Sequence, residues 1–300
     1  MTNRRLRVTI GVGLLLAIFV ALFAIFGSEG QNTEYQPQNE FKLDDWIPIH
    51  IGSLNLSINK AVLYLFIATA LTVWLMVYVA RRMQDRPNRV QTAVESIYDL
   101  AYRNITRGNM DDKMALKWFP VVATLFVWIM VSNVIGYIPL PTNSLEKFNV
   151  FGAHIPGFAI YAATANISIP LTLTLVVWIS YHVEGIRAKG LRRYLASWIP
   201  AGVPSAARAP LFAIEVISHF VRLISLTVRL FANILAGHML ILFMGGGLTV
   251  LLGLAAIGVI TVPIAVVFFI FEVVLIATLQ AYIFATLTAI YLGGAVAESH

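Results

Sequence analysis

Residues 248–292 form an apolar run that carries one charged side chain, Glu272. A bilayer core is crossed by about 20 apolar residues, so a run of this length belongs in lipid rather than in a soluble core. The rest of the chain agrees. Of its 300 residues 59% are apolar and only 12% charged, with a mean hydropathy of +0.79, where soluble domains carry roughly 25% charged residues. The predicted class is an all-α polytopic membrane protein of about five to six membrane helices.

Charge fixes the order of the segments. Residues 1–27 begin with Arg4, Arg5 and Arg7 ahead of an apolar run over 8–26. No A-x-A site follows, so the expectation is an uncleaved signal-anchor helix. Residues 28–57 are polar, with Pro37 and Pro48, and read as extracytoplasmic. A second span, 58–80, ends at Arg81 and Arg82, which places that end in the cytoplasm. Val90, Val94, Ile97, Tyr98, Ala101 and Ile105 then mark one face of an amphipathic cytoplasmic helix. A third span, 118–138, stops at Pro139 and Pro141 before an outer loop with His154 and Pro156. In the fourth, 163–182, Asn166, Ser168 and Thr172 break the apolar pattern. The loop 183–210 holds Arg187, Lys189, Arg192, Arg193 and Arg208 and is cytoplasmic by the positive-inside rule. Residues 58–210 thus form a block of spans with cytoplasmic connections, and 211–300 a tilted helical hairpin. Its first helix, 211–244, is about 50 Å long at 1.5 Å per residue against a hydrocarbon core of about 30 Å. In the second, Pro263 is expected to kink or divide the run. The glycines Gly245, Gly246 and Gly247 are expected to turn the chain between the two, using positive φ.

Several functions are excluded. The sequence has no H-E-x-x-H, no G-x-S-x-G, and no Lys-Ser/Thr after its glycine triplet, so no catalytic site, cofactor site or nucleotide site is expected. Without cysteine there is no disulfide or thiolate metal site. The net charge of +6 lies in short clusters between apolar runs, and no basic stripe with aromatic residues points to nucleic acid.

The polar residues inside the apolar runs carry the functional signal. Glu215, His219, Arg222, Ser225, Arg229 and Asn233 fall three or four apart on one helical stripe. Glu215 and Arg222 lie near the basic loop and read as an interfacial ion pair. Arg229 lies deeper, where a cation costs at least about 2.5 to 3.5 kcal/mol and is kept for a water pathway or a carboxylate partner. One alternative is a structural clamp to Glu272. Antiparallel packing of the last two helices sets Arg229 against Gln280 and, within one residue of the same register, His238 against Glu272. A stand-alone ion channel or a secondary transporter would use the same residue types, and a structural scaffold is disfavoured by the number of buried polar groups.

The stretch "IEVISHFVRLISLTVRLFANILAGH" resembles the a subunit of the membrane sector of F-type ATP synthases. So do "LQAYIFATLTAIYL", "SNVIGYIP" and "TANISIPLTLTL", in order from about residue 40 to the C-terminus. The resemblance implies a stator that passes protons through two half-channels to a ring of c subunits, beside a b-subunit stalk, in the plasma membrane of a bacterium. It implies that Arg229 is the essential arginine, that Asn233 and Gln280 are its polar neighbours, and that His238 and Glu272 are proton-path candidates, together with Asn166 and Ser168. Glu272 stands eight residues before Gln280 where the family pattern has seven. One residue rotates a side chain by about 100° on an α-helix, so Glu272 joins the path only if the helix contains a bulge.

Overall fold

The computed structural model describes residues 40–51, 54–55, 57–84, 86–150, 153–199, 202–247 and 255–297, with Ala17 and Ala21. The expected N-terminal anchor lies outside the described residues. Among these, five helices are long and apolar enough to cross a membrane. The elements form two compact units. One joins Ala236–Leu275 to the N-terminal segment ending at Lys42, and the other comprises Leu43–Leu235 with Ile276–His300.

In the larger unit a short ribbon, β1 (His50–Ile51) with β2 (Leu54–Asn55), precedes α1 (Lys60–Arg81). The Asn59 side chain accepts from the Val62 amide and caps α1. The amphipathic segment is α2 (Arg89–Asp99), which runs on as a π-helical stretch, Leu100–Thr106. Val90 and Tyr98 are exposed, while Ala101 and Ile105 are buried against its neighbours. Next comes α3 (Asp112–Ile135), which starts one to two turns before the expected third span. Lys117, in that added stretch, bonds the buried Glu184 carboxylate of α4 (Ser168–Lys189) at 2.7 and 2.8 Å. The added turns are polar because they carry this cation, which is why hydropathy alone begins the span later.

The expected outer loop is an antiparallel hairpin, β3 (Leu140–Val150) with β4 (Ala153–Ala159). Pro141 lies in β3 and Pro156 in β4. A two-stranded ribbon has only edge strands, where a missing amide costs no ladder bond on the open side. Register shifts between Pro141 and Asn143, and between Asn143 and Lys147, absorb the rest.

The short α5 (Leu191–Ala196) follows Gly190, whose φ of 77° ends α4 in a left-handed turn. Then α6 (Ser205–Leu242) extends 38 residues, about 57 Å at 1.5 Å per residue, and continues as a π-helical turn, Phe243–Gly247. The glycine triplet therefore prolongs a helix instead of turning the chain, and neither Gly245 nor Gly246 has positive φ. The last run is one helical path: α7 (Ala255–Phe271), a π-helical turn Glu272–Ile276, and α8 (Ala277–Val296). Pro263 lies inside α7 without ending it, since membrane helices tolerate proline where neighbours satisfy the freed carbonyl. Thr261–Val296 counts as a single candidate span.

The packing of α8 rests on a stripe of small residues. Ala277, Ala281, Ala285 and Ala289 are spaced one turn apart and all are fully buried, where α8 packs on α3 and α4. Lipid gives apolar side chains no reason to leave it, so small residues that let backbones approach supply the contact instead. The amide of Asn133 fixes its register. Its Nδ2 donates to the Ala277 carbonyl at 3.3 Å and its Oδ1 accepts from the Thr164 hydroxyl at 2.7 Å. Asn133→Leu is expected to destabilise the assembled protein by about 1 to 2 kcal/mol for each interhelical bond lost. Thermal inactivation in membranes measures this, and an unchanged midpoint would show that the two bonds add nothing.

Candidate functional site

Three of the polar residues singled out in the sequence share one property. Arg229 is exposed on α6 and Asn233, one turn on, is half-buried, while Gln280 is buried on α8. Among the described residues none of the three side chains forms a hydrogen bond or an ion pair. The surface around it is apolar and uncovered, with Ile217, Val221, Ile224 and Val228 each more than 40% exposed.

Toward the N-terminus of α6 the charged groups of the same stripe are paired within the chain. Arg222 bonds Glu215 at 3.2 Å and lies over the Tyr291 ring at 5.6 Å, so the expected interfacial pair is present. His219 Nδ1 meets the Tyr181 hydroxyl at 2.9 Å, and its Nε2 lies 3.7 Å from the Glu215 carboxylate. These groups, with Lys189 and Tyr194, line a cavity of about 560 Å³. Beside it, His182 Nδ1 meets the Tyr194 hydroxyl at 2.7 Å. Burial pushes the Tyr194 phenol up from its ordinary value, which keeps it neutral in that contact.

In the smaller unit Glu272 and His238 are both buried. A Cβ placed on Gly237 would overlap the Glu272 carboxyl group, so the carboxylate occupies the space this glycine leaves. Gly237 lies eight residues after Arg229, and Glu272 eight before Gln280. Gly237 thus stands at the carboxylate, one residue from the His238–Glu272 pairing expected from the sequence. The His238 ring stands edge-on to Phe41, centroids 6.4 Å apart. Asn166 and Ser168 sit at the start of α4, where the Asn166 carboxamide oxygen accepts from the Ser168 amide at 3.0 Å. That contact orders a helix start.

Sequence reasoning passed over Asn133, Thr164, Lys117 and Glu184. The first two stand in the motifs "SNVIGYIP" and "TANISIPLTLTL", and an asparagine inside an apolar span was the available signal. Lys60 was also missed: it is buried at the head of α1 with its Nζ 5.2 Å from the Tyr161 ring centre.

Five long apolar helices, two of them with charged and amide groups well inside their length, define a multi-pass membrane protein built around polar positions in the bilayer. Residues 62–293 match the family model described as ATP synthase A chain. The chain is 38% identical over 248 residues to ATP synthase subunit a of Rubrobacter xylanophilus, covering 82% of this chain and 87% of that one. It is 35% identical over 291 residues to the Frankia alni protein of the same name, covering 93% and 90%. With the Maricaulis maris protein, again ATP synthase subunit a, it shares 31% over 274 residues, covering 88% and 98%. The chain belongs to the ATP synthase A chain family.

Proposed function

We propose that this chain is the stator subunit of a bacterial ATP synthase that carries protons to and from carboxylates on a rotating ring of c subunits. The observation that carries the reading is Arg229: a permanent cation on a membrane helix, exposed and without a partner among the described residues. Leaving it so in lipid costs at least about 2.5 to 3.5 kcal/mol, so its counter-charge comes from another subunit. The uncovered apolar stripe along α6 is the surface on which that subunit docks, with b subunits and the remaining synthase subunits elsewhere. Asn233 and Gln280 flank the cation with free amides, which moderate its hold on a passing carboxylate.

Two aqueous paths meet at this point without joining. Glu215, His219 and Arg222 open to the 560 Å³ cavity at the end of α6 that adjoins the basic loop, which serves as the cytoplasmic mouth. Glu272 and His238 are the candidates for the opposite path, and Asn166 and Ser168 are further candidates for it. The π-helical turn Glu272–Ile276 supports a channel role for Glu272. A π turn takes up one residue more than an α turn, so the eight residues between Glu272 and Gln280 count as seven α-helical steps. Seven steps of about 100° return nearly to the starting face.

Co-purification and reconstitution test the reading against a stand-alone channel or transporter. Liposomes holding this chain alone are expected to keep a proton gradient, and liposomes holding the whole complex to build one on addition of ATP. Selective ion flux through the chain alone would establish the channel reading instead.

A further inference from the structure

A second cleft, of about 320 Å³, opens beside the polar cavity between the C-terminal half of α4, the short α5 and the N-terminal half of α6. Ile179, Val183, Ile186, Leu191, Leu195 and Phe220 form its apolar wall. Most of these are uncovered in the chain, Leu191 at 56% and Phe220 at 54% exposure. The wall exposes no polar atom, so nothing in the cleft solvates a headgroup, a sugar or a peptide backbone. Only hydrocarbon gains from entering it.

The rim has the opposite chemistry. On α5, Leu191 and Leu195 turn toward the cleft, while Arg192 and Arg193 are exposed. Neither arginine has an ion pair or hydrogen bond among the described residues. Arg187, two residues before the end of α4, reaches only Glu184, at 3.6 Å, and Lys117 already holds that carboxylate at 2.7 Å. Three arginines thus adjoin in sequence the lining residues Ile186 and Leu191 of a hydrocarbon-lined slot.

We propose that the cleft is a binding site for an anionic phospholipid of the surrounding bilayer, with one acyl chain in the slot and the phosphate held by Arg192 and Arg193. The charge of the rim selects the class of lipid. A zwitterionic headgroup brings its own ammonium against the arginines, whereas a phosphatidylglycerol-type headgroup presents only the phosphate. Arginine forks bind such oxygens in pairs, and basic pockets between membrane helices on the cytoplasmic side are where anionic headgroups collect. Arg229 does not line the cleft, whereas Tyr194, Trp198 and His219 line both the cleft and the polar cavity.

The test uses the whole synthase complex in vesicles that contain phosphatidylglycerol or phosphatidylcholine with a photoreactive acyl chain. Irradiation of the phosphatidylglycerol sample is expected to label the segment 179–195, and the phosphatidylcholine sample is expected to label it weakly. Arg192→Gln and Arg193→Gln should each lower the label by about fivefold, while Arg192→Lys should keep most of it. Leu191→Trp fills the slot and should remove the label with the arginines intact. Equal labelling by both lipids, or labelling indifferent to all these variants, would overturn the proposal. So would a photoreactive side chain at Leu191 that couples to a neighbouring polypeptide. Should a variant fail to assemble, the comparison of the two lipids on the unaltered complex decides alone.

Discussion

Membrane vesicles carrying Arg229→Ala are expected to show no ATP-driven proton pumping, while the complex still assembles and its soluble sector still hydrolyses ATP. The argument is electrostatic. A ring carboxylate that has passed through lipid arrives protonated, because burial penalises its charged form, and a fixed cation within about 4 to 6 Å lowers its pKa and releases the proton. At an effective dielectric near 20 a pair at 4 Å is worth about 4 kcal/mol, whereas a proton crossing 100 mV yields about 2.3 kcal/mol. An unmoderated pair would hold the rotor still. On the proposed reading Asn233 and Gln280, whose amides are free of partners among the described residues, supply the competing hydrogen bonds that let the carboxylate leave. Arg229→Lys is expected to fail as well, since an ammonium shifts its pKa readily in lipid and can itself pass a proton, which a guanidinium with pKa above ~12 does not. Vesicles that pump normally with alanine at this position would defeat the assignment.

The second large effect concerns Gly237. A methyl group there overlaps the Glu272 carboxyl, and overpacking of this kind costs about 1 to 3 kcal/mol when neighbours must shift. Gly237→Ala is therefore expected to displace the carboxylate and cut proton flux by about tenfold or more, in line with that cost. Shortening the acid with Glu272→Asp in the same chain should restore part of the flux, because it vacates the space the methyl takes. Glu272→Gln separates the role of the acid from its packing. It preserves the volume and removes the exchangeable proton, and a positioned acid-base group contributes about 10² to 10⁴ in rate. Flux is expected to fall by about 100-fold with little change in thermal stability. Normal flux in Glu272→Gln would make the residue structural.

The membrane spans were legible because hydropathy reports directly on lipid exposure, and the stripe from Glu215 to Asn233 because polar groups in lipid are costly enough to stand out. The neighbourhood of Glu272 was legible to within one residue, since the sequence set His238 against it and Gly237 stands there. What escaped depends on groups far apart in sequence. The one-residue offset of Glu272 coincides with the π-helical turn Glu272–Ile276, and helix type at a single turn is set by packing that periodicity does not encode. Lys117 hid in a polar stretch because its partner, Glu184, is 67 residues away. The hairpin Leu140–Ala159 hid behind its prolines, and Gly245 and Gly246 read as a turn although the helix runs through them.

The central claim is that the counter-charge of Arg229 belongs to another subunit that moves past it. A density map of the intact complex measures this directly. The account predicts a c-subunit carboxylate within about 6 Å of the Arg229 guanidinium, with the stripe Ile217, Val221, Ile224 and Val228 against the ring. An Arg229 that is turned toward lipid or paired to an acid of its own chain, with the ring on a different face, would contradict it.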